Sequence, residues 1–212
     1  MIVVVPRSSR PWLPANFAFA EDVEICFCRD YRDDYLGQQA TKLMADSFSD
    51  ADFICHVDAD CIFSRFCTPR DLIIAGKPCV VMRPSALLGF HWPWRKPTET
   101  FLGWAVSHDF MQRPPFVFPS WLYPELRNHA VSTHGMDLET YITTRPPRGF
   151  SEFNALGAYA HARHHDRFIW LDNSLSDAGE PFCRWYWSWG GIDVSTHSEI
   201  QALLGTEMTR ND

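Results

Sequence analysis

The sequence lacks several features that would place the protein in a well-defined class. No stretch approaches the roughly 20 consecutive apolar residues of a membrane-spanning helix, and no internal repeat or low-complexity segment is present. Residues 1–6 contain no basic side chain and are too few to form the apolar core of a signal peptide. These absences predict a protein that has no transmembrane segment and acts in the cytoplasm.

Positive charge is also scarce. The 19 Lys and Arg residues stand against 26 Asp and Glu, which gives a formal net charge of −7. Nonspecific affinity for nucleic acid comes from basic side chains on the phosphate backbone, so this balance argues against a partner bound in that way. Basic clusters remain at residues 95–96 and 163–167, and a nucleic-acid substrate is therefore not excluded.

Cysteine spacing typical of a zinc site is absent as well. Cys26 and Cys28 are too close for a usual zinc pair, and no second pair follows at a finger-like distance among the seven cysteines. Cys26, Cys28, Cys55 and Cys79 lie in apolar runs instead. We predict that these four are reduced core thiols and that the protein works in a reducing compartment.

Apolar and aromatic residues, by contrast, are plentiful. Of the 212 residues, 46% are hydrophobic and 15% aromatic, with nine Trp and sixteen Phe. Such a chain can build one domain with a substantial core. The number of Trp residues also favours a cleft in which indole rings stack on sugars, beside ordinary core packing.

The first 85 residues alternate between strand and helix patterns. Periodicity predicts strands over residues 2–5, 23–28, 53–57 and 79–82, and helices over residues 35–48 and 71–75. This alternation predicts an α/β fold with a mostly parallel central sheet flanked by helices. Farther along we expect helices over residues 121–129, 136–142 and 151–161, a strand over residues 168–171 and a flexible tail from residue 206. Ser151 is the expected N-terminal cap of the last helix.

The most informative local feature is a pair of acids, Asp58 and Asp60, at the end of the strand over residues 53–57. Two acids in apolar surroundings are costly unless a cation or hydrogen-bond donors offset their desolvation. Carboxylate oxygens suit Mg²⁺ or Mn²⁺, which completes its shell with water and substrate phosphate. Ligands of open α/β sheets bind outside the carboxyl ends of the strands. We therefore predict a divalent-metal site at Asp58-Ala59-Asp60.

Several segments resemble segments of the GT-A-type glycosyltransferases, and their order along the chain is more specific than any one of them. The strand followed by Asp58-Ala59-Asp60 is similar to their DxD motif. Residues 35–43, YLGQQATKL, resemble the helix with a QQ–K pattern that precedes the metal strand in one bacterial and viral group of these enzymes. Residues 110–119, FMQRPPFVFP, look like a middle segment of that group, and residues 151–157, SEFNALG, resemble its SE(Y/F)xxxG helix start. The resemblance covers residues 1–172.

The resemblance implies a single GT-A-like, Rossmann-related domain. Its residues 1–85 would bind the nucleotide sugar and the metal, and residues 86–205 would bind the acceptor and supply the catalytic base. The implied reaction is metal-dependent transfer of a sugar from a nucleoside-diphosphate donor, expected to be a UDP-sugar, to an acceptor hydroxyl. Residues 7–22 are short for a full nucleotide-binding βαβ unit, so we expect a domain that is shortened at its N-terminus.

Roles for the carboxylates follow from the resemblance. Asp60 would be the direct ligand of Mn²⁺ or Mg²⁺, and Asp58 would support the metal or the donor ribose. Glu152 would be the general base that takes the proton from the acceptor hydroxyl. One base and one displacement imply inversion of the anomeric centre.

The resemblance also nominates residues around the donor nucleotide. Pro6, Arg7 and Asp30 lie at strand ends where such enzymes hold the base and the ribose. Lys42 could reach the diphosphate from the helix beneath the site. For each of these residues, an ordinary surface or turn position is the alternative.

Histidines supply further metal candidates. GT-A enzymes often add a C-terminal histidine to the metal shell, for which His197 is our first nominee and His91 the second. His161, His164 and His165 have the i, i+3, i+4 spacing that can bind a metal on one helix face. A solvated helix end explains the same three residues equally well.

Six tryptophans are candidates for stacking on an acceptor: Trp92, Trp94, Trp121, Trp185, Trp187 and Trp189. Residues 185–189 place Trp at every second position, so one face of a strand could present three indoles. Core packing is the alternative.

Two other functions fit parts of the sequence. Haloacid-dehalogenase-like, metal-dependent phosphatases also open with an apolar strand and Asp-x-Asp, but they have Thr or Val where Cys61 stands and need a later Lys and a distal acidic pair that are not evident. A noncatalytic carbohydrate-binding module would explain the tryptophans but not the buried acids. For a glycosyltransferase, the acceptor would be a glycan, a glycolipid or a hydroxymethylated nucleobase, the last suiting a virus-encoded enzyme in a host cytoplasm.

Overall fold

The computed structural model describes residues 1–13, 22–89, 92–175, 178–186 and 191–205. The first strands are β1 (Ile2–Pro6), β2 (Glu24–Cys28), β3 (Phe53–His56), β4 (Cys61–Phe63), β5 (Ile73–Ile74) and β6 (Lys77–Pro84). They are followed by β7 (His108–Asp109), β8 (Phe116–Pro119), β9 (Ile169–Asp172) and β10 (Cys183–Trp185). The α-helices are α1 (Asp34–Lys42), α2 (Pro69–Leu72), α3 (Arg95–Leu102), α4 (Leu122–His134), α5 (Leu138–Thr143), α6 (Glu152–Arg163) and α7 (Val194–Gly205).

These elements make a mixed α/β protein with several small sheets. Strands β1 and β2 pair in parallel, as do β6 and β9. The pairs β3–β8, β4–β10, β5–β6 and β6–β7 are antiparallel. The described strands therefore do not form the single, mostly parallel sheet that we expected. Strands from residues 1–85 pair with strands from residues 86–205, so the two predicted halves are interleaved.

Strand β8 was not predicted, although it organises the centre of the molecule. All four of its residues are buried, and it pairs with β3 in the register His56↔Phe116. Its apolar run is typical of a strand that is buried on both faces. Pro115 before the strand and Pro119 at its end hid this pattern, since proline normally argues against a central strand.

Helix α1 ends at Lys42, although periodicity predicted a helix to residue 48. Its N-terminus is capped by Asp33, whose Oδ1 accepts from the backbone N–H of Leu36 at 2.9 Å. At the other end, Arg127 donates to the Leu43 carbonyl at 3.1 Å and makes a two-pronged contact with Asp46 at 2.7 and 2.6 Å. Because this cation satisfies the terminal carbonyl, the chain can leave the helix with Lys42 in its last turn.

The predicted helix over residues 71–75 was wrong in its bounds. Helix α2 begins earlier, in a capping box formed by Thr68 and Asp71. Ile73 and Ile74 belong to β5 and pair with β6. Their branched side chains favour a strand over a helix.

Helix α6 lies in the core. Eight of its residues are buried, including Glu152 and Asn154. Gly157 permits close packing, because a Cβ atom there would lie 2.4 Å from Phe110. Ser151 occupies the predicted N-cap position, but its side chain makes no capping hydrogen bond; it accepts from the Asn154 amide at 3.0 Å instead.

The seven cysteines are all free thiols. The prediction that four of them lie in the core was wrong: Cys26, Cys28 and Cys79 are half-buried and Cys55 is exposed. The buried cysteine is Cys183.

None of the described helices is long and apolar enough to cross a membrane. The tail predicted from residue 206 lies outside the described residues.

Candidate functional site

Asp58 and Asp60 lie in the short turn between β3 and β4. The turn is closed by a hydrogen bond of 3.1 Å from the Cys61 backbone N–H to the Asp58 carbonyl. Strands β3 and β4 pair with different partners, β8 and β10. The two acids are therefore held between two separate strand pairs near the centre of the fold.

Lys42 joins Asp58 to Glu152, the residue nominated as the base. Its Nζ lies 2.5 Å from Asp58 Oδ1 and 2.8 Å from Glu152 Oε1. Lys42 ends α1 and Glu152 begins α6, so the contact connects positions that are 110 residues apart in the chain. The same ammonium group lies 4.7 Å from the centre of the Phe153 ring, which adds a cation–π contact.

This cluster is largely removed from water. The exposed fractions of the three side chains are 13% for Lys42, 11% for Asp58 and 4% for Glu152. Burial alone would lower the pKa of Lys42, but the charges of Glu152 and Asp58 outweigh it and the pKa of Lys42 is raised. The lysine therefore stays a cation, and the two carboxylates can lie close together because it is between them.

Asp60 is held from the other side by β10. The pairing of Trp185 with Cys61 places the indole beside this acid, and Trp185 Nε1 donates to Asp60 Oδ1 at 3.0 Å. The backbone N–H of Tyr186 donates to the Asp60 carbonyl at 2.8 Å. Sequence reasoning nominated Trp185 for stacking, and the structure shows its indole N–H bonded to a predicted metal ligand.

A cavity of about 610 Å³ opens above these residues. Lys42, Asp58, Asp60, Glu152 and Arg148 contribute its charged lining. The remaining wall is mainly apolar and aromatic, with Tyr35, Trp94, Met111, Trp185, Ile192 and Ile200. Tyr35 and Trp94 stack with ring centres 6.4 Å apart and planes inclined by 21°. The cavity can therefore take a ligand that has both charged and apolar parts.

The residues nominated for the donor base and ribose do not line this cavity. Pro6 ends β1, and Arg7 begins the short 3₁₀ helix that follows it. Asp30 follows β2 and accepts a hydrogen bond from the Ser8 backbone N–H at 2.9 Å. These three residues are thus gathered at the carboxyl ends of β1 and β2, apart from the cavity lining.

The histidine candidates also lie elsewhere. His197 is exposed on α7 and is not part of the cavity lining, while His91 lies outside the described residues. His164 contacts Glu125 at 2.6 Å. His161 lies among the rings of His108, His165 and Trp170 at 4.8–5.0 Å.

The tryptophan candidates divide between core and cavity. Trp94 and Trp185 line the cavity. Trp92 is buried in the core, and Trp121 packs on His164 with ring centres 4.8 Å apart. Trp187 and Trp189 lie outside the described residues, so the predicted row of three indoles has only its first member described.

The residues fit a metal that arrives with a phosphate-bearing ligand. Within the described ranges, no group of three or more His, Cys, Asp or Glu side chains could hold a metal ion. Asp58 and Asp60 supply two carboxylates to the cavity lining. Mg²⁺ in phosphate-binding sites is commonly held by one or two carboxylates together with substrate oxygens.

Among the lining residues that sequence reasoning did not nominate are Gln38 and Arg148. Gln38 belongs to the QQ–K segment. Arg148 lies in the Pro146-Pro147-Arg148-Gly149 turn before Glu152. The only sequence signal for Arg148 was its place in a turn three residues before the SE(Y/F)xxxG segment.

Comparisons with known protein families, curated proteins and solved structures found no match to this chain.

Proposed function

We propose that the chain is a metal-dependent glycosyltransferase of the GT-A type that moves a sugar from a nucleoside-diphosphate donor to an acceptor hydroxyl. One observation carries the proposal: Asp58 and Asp60 of one motif and Glu152 of another line one cavity. Lys42 of the QQ–K segment bridges two of them. A UDP-sugar is the donor we propose, and Mn²⁺ or Mg²⁺ the metal.

Asp60 would hold the metal, with Asp58 supporting it. When bound, the metal would neutralise charge on the departing diphosphate as a Lewis acid. Trp185 fixes the Asp60 carboxylate through its indole N–H, and Lys42 fixes that of Asp58. Both carboxylates are thus oriented by neighbours before any ligand arrives, which lowers the cost of ordering them on binding.

Glu152 would act as the general base. It lines the cavity at the N-terminus of α6, and Lys42 orients its carboxylate through Oε1. Glu152 would take the acceptor's proton as that oxygen bonds to the anomeric carbon and the bond to the diphosphate breaks. A single displacement of this kind inverts the anomeric centre.

Lys42 takes a different part from the one suggested by sequence. Both of its carboxylate contacts are short, so we assign it to positioning Asp58 and Glu152 rather than to the diphosphate. The aromatic wall with Tyr35 and Trp94 suits the apolar face of a sugar ring. The acceptor would be a glycan, a glycolipid or a hydroxymethylated nucleobase.

Calorimetric titration of UDP, with and without Mn²⁺, tests the donor site. We expect binding that requires Mn²⁺ and is lost in Asp60→Ala. Glu152→Gln is the matched variant: it should keep Mn²⁺-dependent binding and lose sugar transfer, because it removes only the base. If another nucleoside diphosphate binds in place of UDP, the donor is corrected; if none binds with metal, the proposal fails.

A phosphatase remains the second candidate, on the basis of the contact between Lys42 and Asp58. Phosphatases of the haloacid-dehalogenase type place a lysine in their active site, although from a later position in the chain. Release of phosphate from a generic phosphoester without a sugar donor would support that reaction. Glycan binding that needs neither metal nor nucleotide would indicate a noncatalytic binding module instead.

A further inference from the structure

Arg148 stands at the edge of the cavity in the turn that leads into Glu152. Its side chain lines the cavity and the residue is exposed. It also lies close to Tyr35: burial and the charge of Glu152 raise the pKa of Tyr35, and Arg148 is among the cations that oppose this rise. The guanidinium thus belongs to the candidate site, although no sequence motif nominated it.

The backbone at Arg148 is in an unfavourable conformation for its residue type. Its φ is +61°, and Ala75 is the other non-glycine residue with positive φ among those the structure describes. The Gly149 N–H donates to the Pro146 carbonyl at 2.8 Å. With Pro147 second and a positive φ third, this is the pattern of a type II turn, whose third position normally takes Gly or Asn. Such strain in a non-glycine residue is typical of functional sites.

The turn is anchored on both sides, so Arg148 is held in place. Gly149 is required because a Cβ atom there would lie 2.7 Å from the Pro146 carbonyl oxygen. Phe150 is buried in the core immediately afterwards. Before the turn, Arg145 Nε donates to the Tyr141 carbonyl at 3.1 Å. The backbone at Arg148 is therefore held in place by the residues on both sides of the turn.

The carboxylates that line the cavity would repel a phosphate-bearing ligand unless a cation faces it. Three carboxylates line the cavity, and Lys42 is buried between two of them. A phosphate entering this space needs donors at its open edge, and a guanidinium can donate two parallel hydrogen bonds to phosphate oxygens. We propose that Arg148 binds a phosphate group of the substrate and that the strained turn exists to place it there. This inference rests on the proposed function and names its anion-recognising residue.

Two sources of phosphate share this chemistry: the diphosphate of the donor and a phosphate on the acceptor. Calorimetry with UDP and Mn²⁺, inorganic pyrophosphate and Mn²⁺, and a hexose 6-phosphate separates them. We expect Arg148→Gln to weaken binding by about 10- to 100-fold, the usual effect of losing charged hydrogen bonds. Weaker binding of both UDP and pyrophosphate identifies the donor; weaker binding of the hexose phosphate alone identifies the acceptor.

Two further variants separate binding from folding. Arg148→Asn should lose the same affinity while its melting temperature stays at or above that of the wild type, because Asn tolerates positive φ. Arg70→Gln, on the exposed surface of α2 and outside the cavity lining, should bind as the wild type does. A role for Arg148 in structure alone would lower the melting temperature of the Asn variant instead.

The outcomes distinguish this inference from the proposed function. UDP binding that needs Mn²⁺, together with binding of all three probes that is unchanged in both Arg148 variants, overturns the inference and leaves the function standing. Arg148-dependent binding of pyrophosphate or hexose phosphate without any nucleotide binding supports the inference and removes the donor assignment. If the wild type binds none of the three probes, both fail.

Discussion

Lys42 determines whether the acids of the site can coexist. Its ammonium group separates Asp58 from Glu152 at distances of 2.5 and 2.8 Å, with all three side chains mostly buried. Without the lysine, two carboxylates would face each other with little water to solvate them. The residue therefore connects the stability of the fold with the geometry of the site.

We predict that Lys42→Met lowers the free energy of unfolding by about 3–5 kcal/mol, the usual cost of removing one partner from a buried ionic cluster. Urea denaturation at neutral pH measures this change. Lys77→Met is the matched control, because Lys77 is exposed at the start of β6 and should change stability little.

A double variant tests the cause of that loss. Adding Glu152→Gln to Lys42→Met removes one of the two uncompensated carboxylates, so part of the lost stability should return. If the double variant is less stable by the sum of the two single effects, the charges do not interact as the structure indicates.

Trp185 makes a contact that its nomination for stacking did not predict. Its alternation with other tryptophans suggested stacking on a ligand, whereas the indole N–H donates to Asp60. The hydrogen bond depends on the pairing of β10 with β4, which brings together positions 125 residues apart. No local pattern encodes such a pairing, so sequence reasoning could place Trp185 near a ligand but not beside the acid.

At the scale of elements, the position of α6 fixes Glu152. The helix passes so close to the segment after β7 that a Cβ atom at Gly157 would lie 2.4 Å from the Cβ and Cγ atoms of Phe110. Phe110 has no room to move, because it is 1% exposed and its backbone N–H donates to Asn154 at 2.9 Å.

We predict that Gly157→Ala destabilises the protein by about 2–3 kcal/mol, because overpacking outweighs the gain of about 1 kcal/mol in helix propensity. Thermal and urea unfolding measure it. Gly135→Ala serves as the comparison: open space surrounds that position, but its φ is +67°, so backbone strain alone should cost about 1 kcal/mol. A Gly157→Ala variant as stable as the wild type would contradict the close packing.

Elements with a strong local pattern were predicted well. The β-branched run of β1, the strand before Asp58 and the amphipathic start of α1 all form where periodicity placed them. Strand β8 was missed because prolines obscured its pattern. Helix α3 was missed because it lies in a polar, Trp-rich stretch. The pairing of β3 with β8 in place of a parallel neighbour depends on contacts across the whole chain, which local periodicity does not contain.

The residues of the candidate site could be predicted where they belong to a motif in the sequence. Asp58, Asp60, Lys42 and Glu152 line one cavity, although their chemical roles stay predictions. Pro6, Arg7 and Asp30 were placed by the rule that ligands bind at strand ends, and they lie at the ends of β1 and β2, outside the cavity lining. That rule assumes one continuous sheet, whereas β1 and β2 form a separate two-stranded sheet.

At the scale of the whole molecule, we expect a histidine away from the cavity to make stability respond to acid. His161 is half-buried on α6, with the rings of His108, His165 and Trp170 within 4.8–5.0 Å. Burial, together with the charges of His108 and His165, lowers the pKa of His161 from 6.5 to about 4. Between those two pH values the unfolded chain binds a proton that the folded protein does not.

The free energy of unfolding should therefore fall as the pH drops from 6.5 towards 4. We expect His161 to contribute about 0.5 kcal/mol per pH unit, less than half the full linkage value, because part of the ring is solvated. His161→Phe keeps an aromatic ring in the cluster without the titration. The difference in stability between pH 7.5 and pH 4.5, measured by urea denaturation, should be smaller in this variant than in the wild type.

His197→Phe provides the control, because His197 is exposed on α7 and its replacement should leave the acid response unchanged. An acid response that is the same in the wild type and in His161→Phe would assign the loss of stability to other groups. A reduced response in both variants would indicate a general effect of removing a histidine. Only a reduction confined to His161→Phe supports the conclusion that His161 of α6, packed against His108 and His165, makes the fold sensitive to acid.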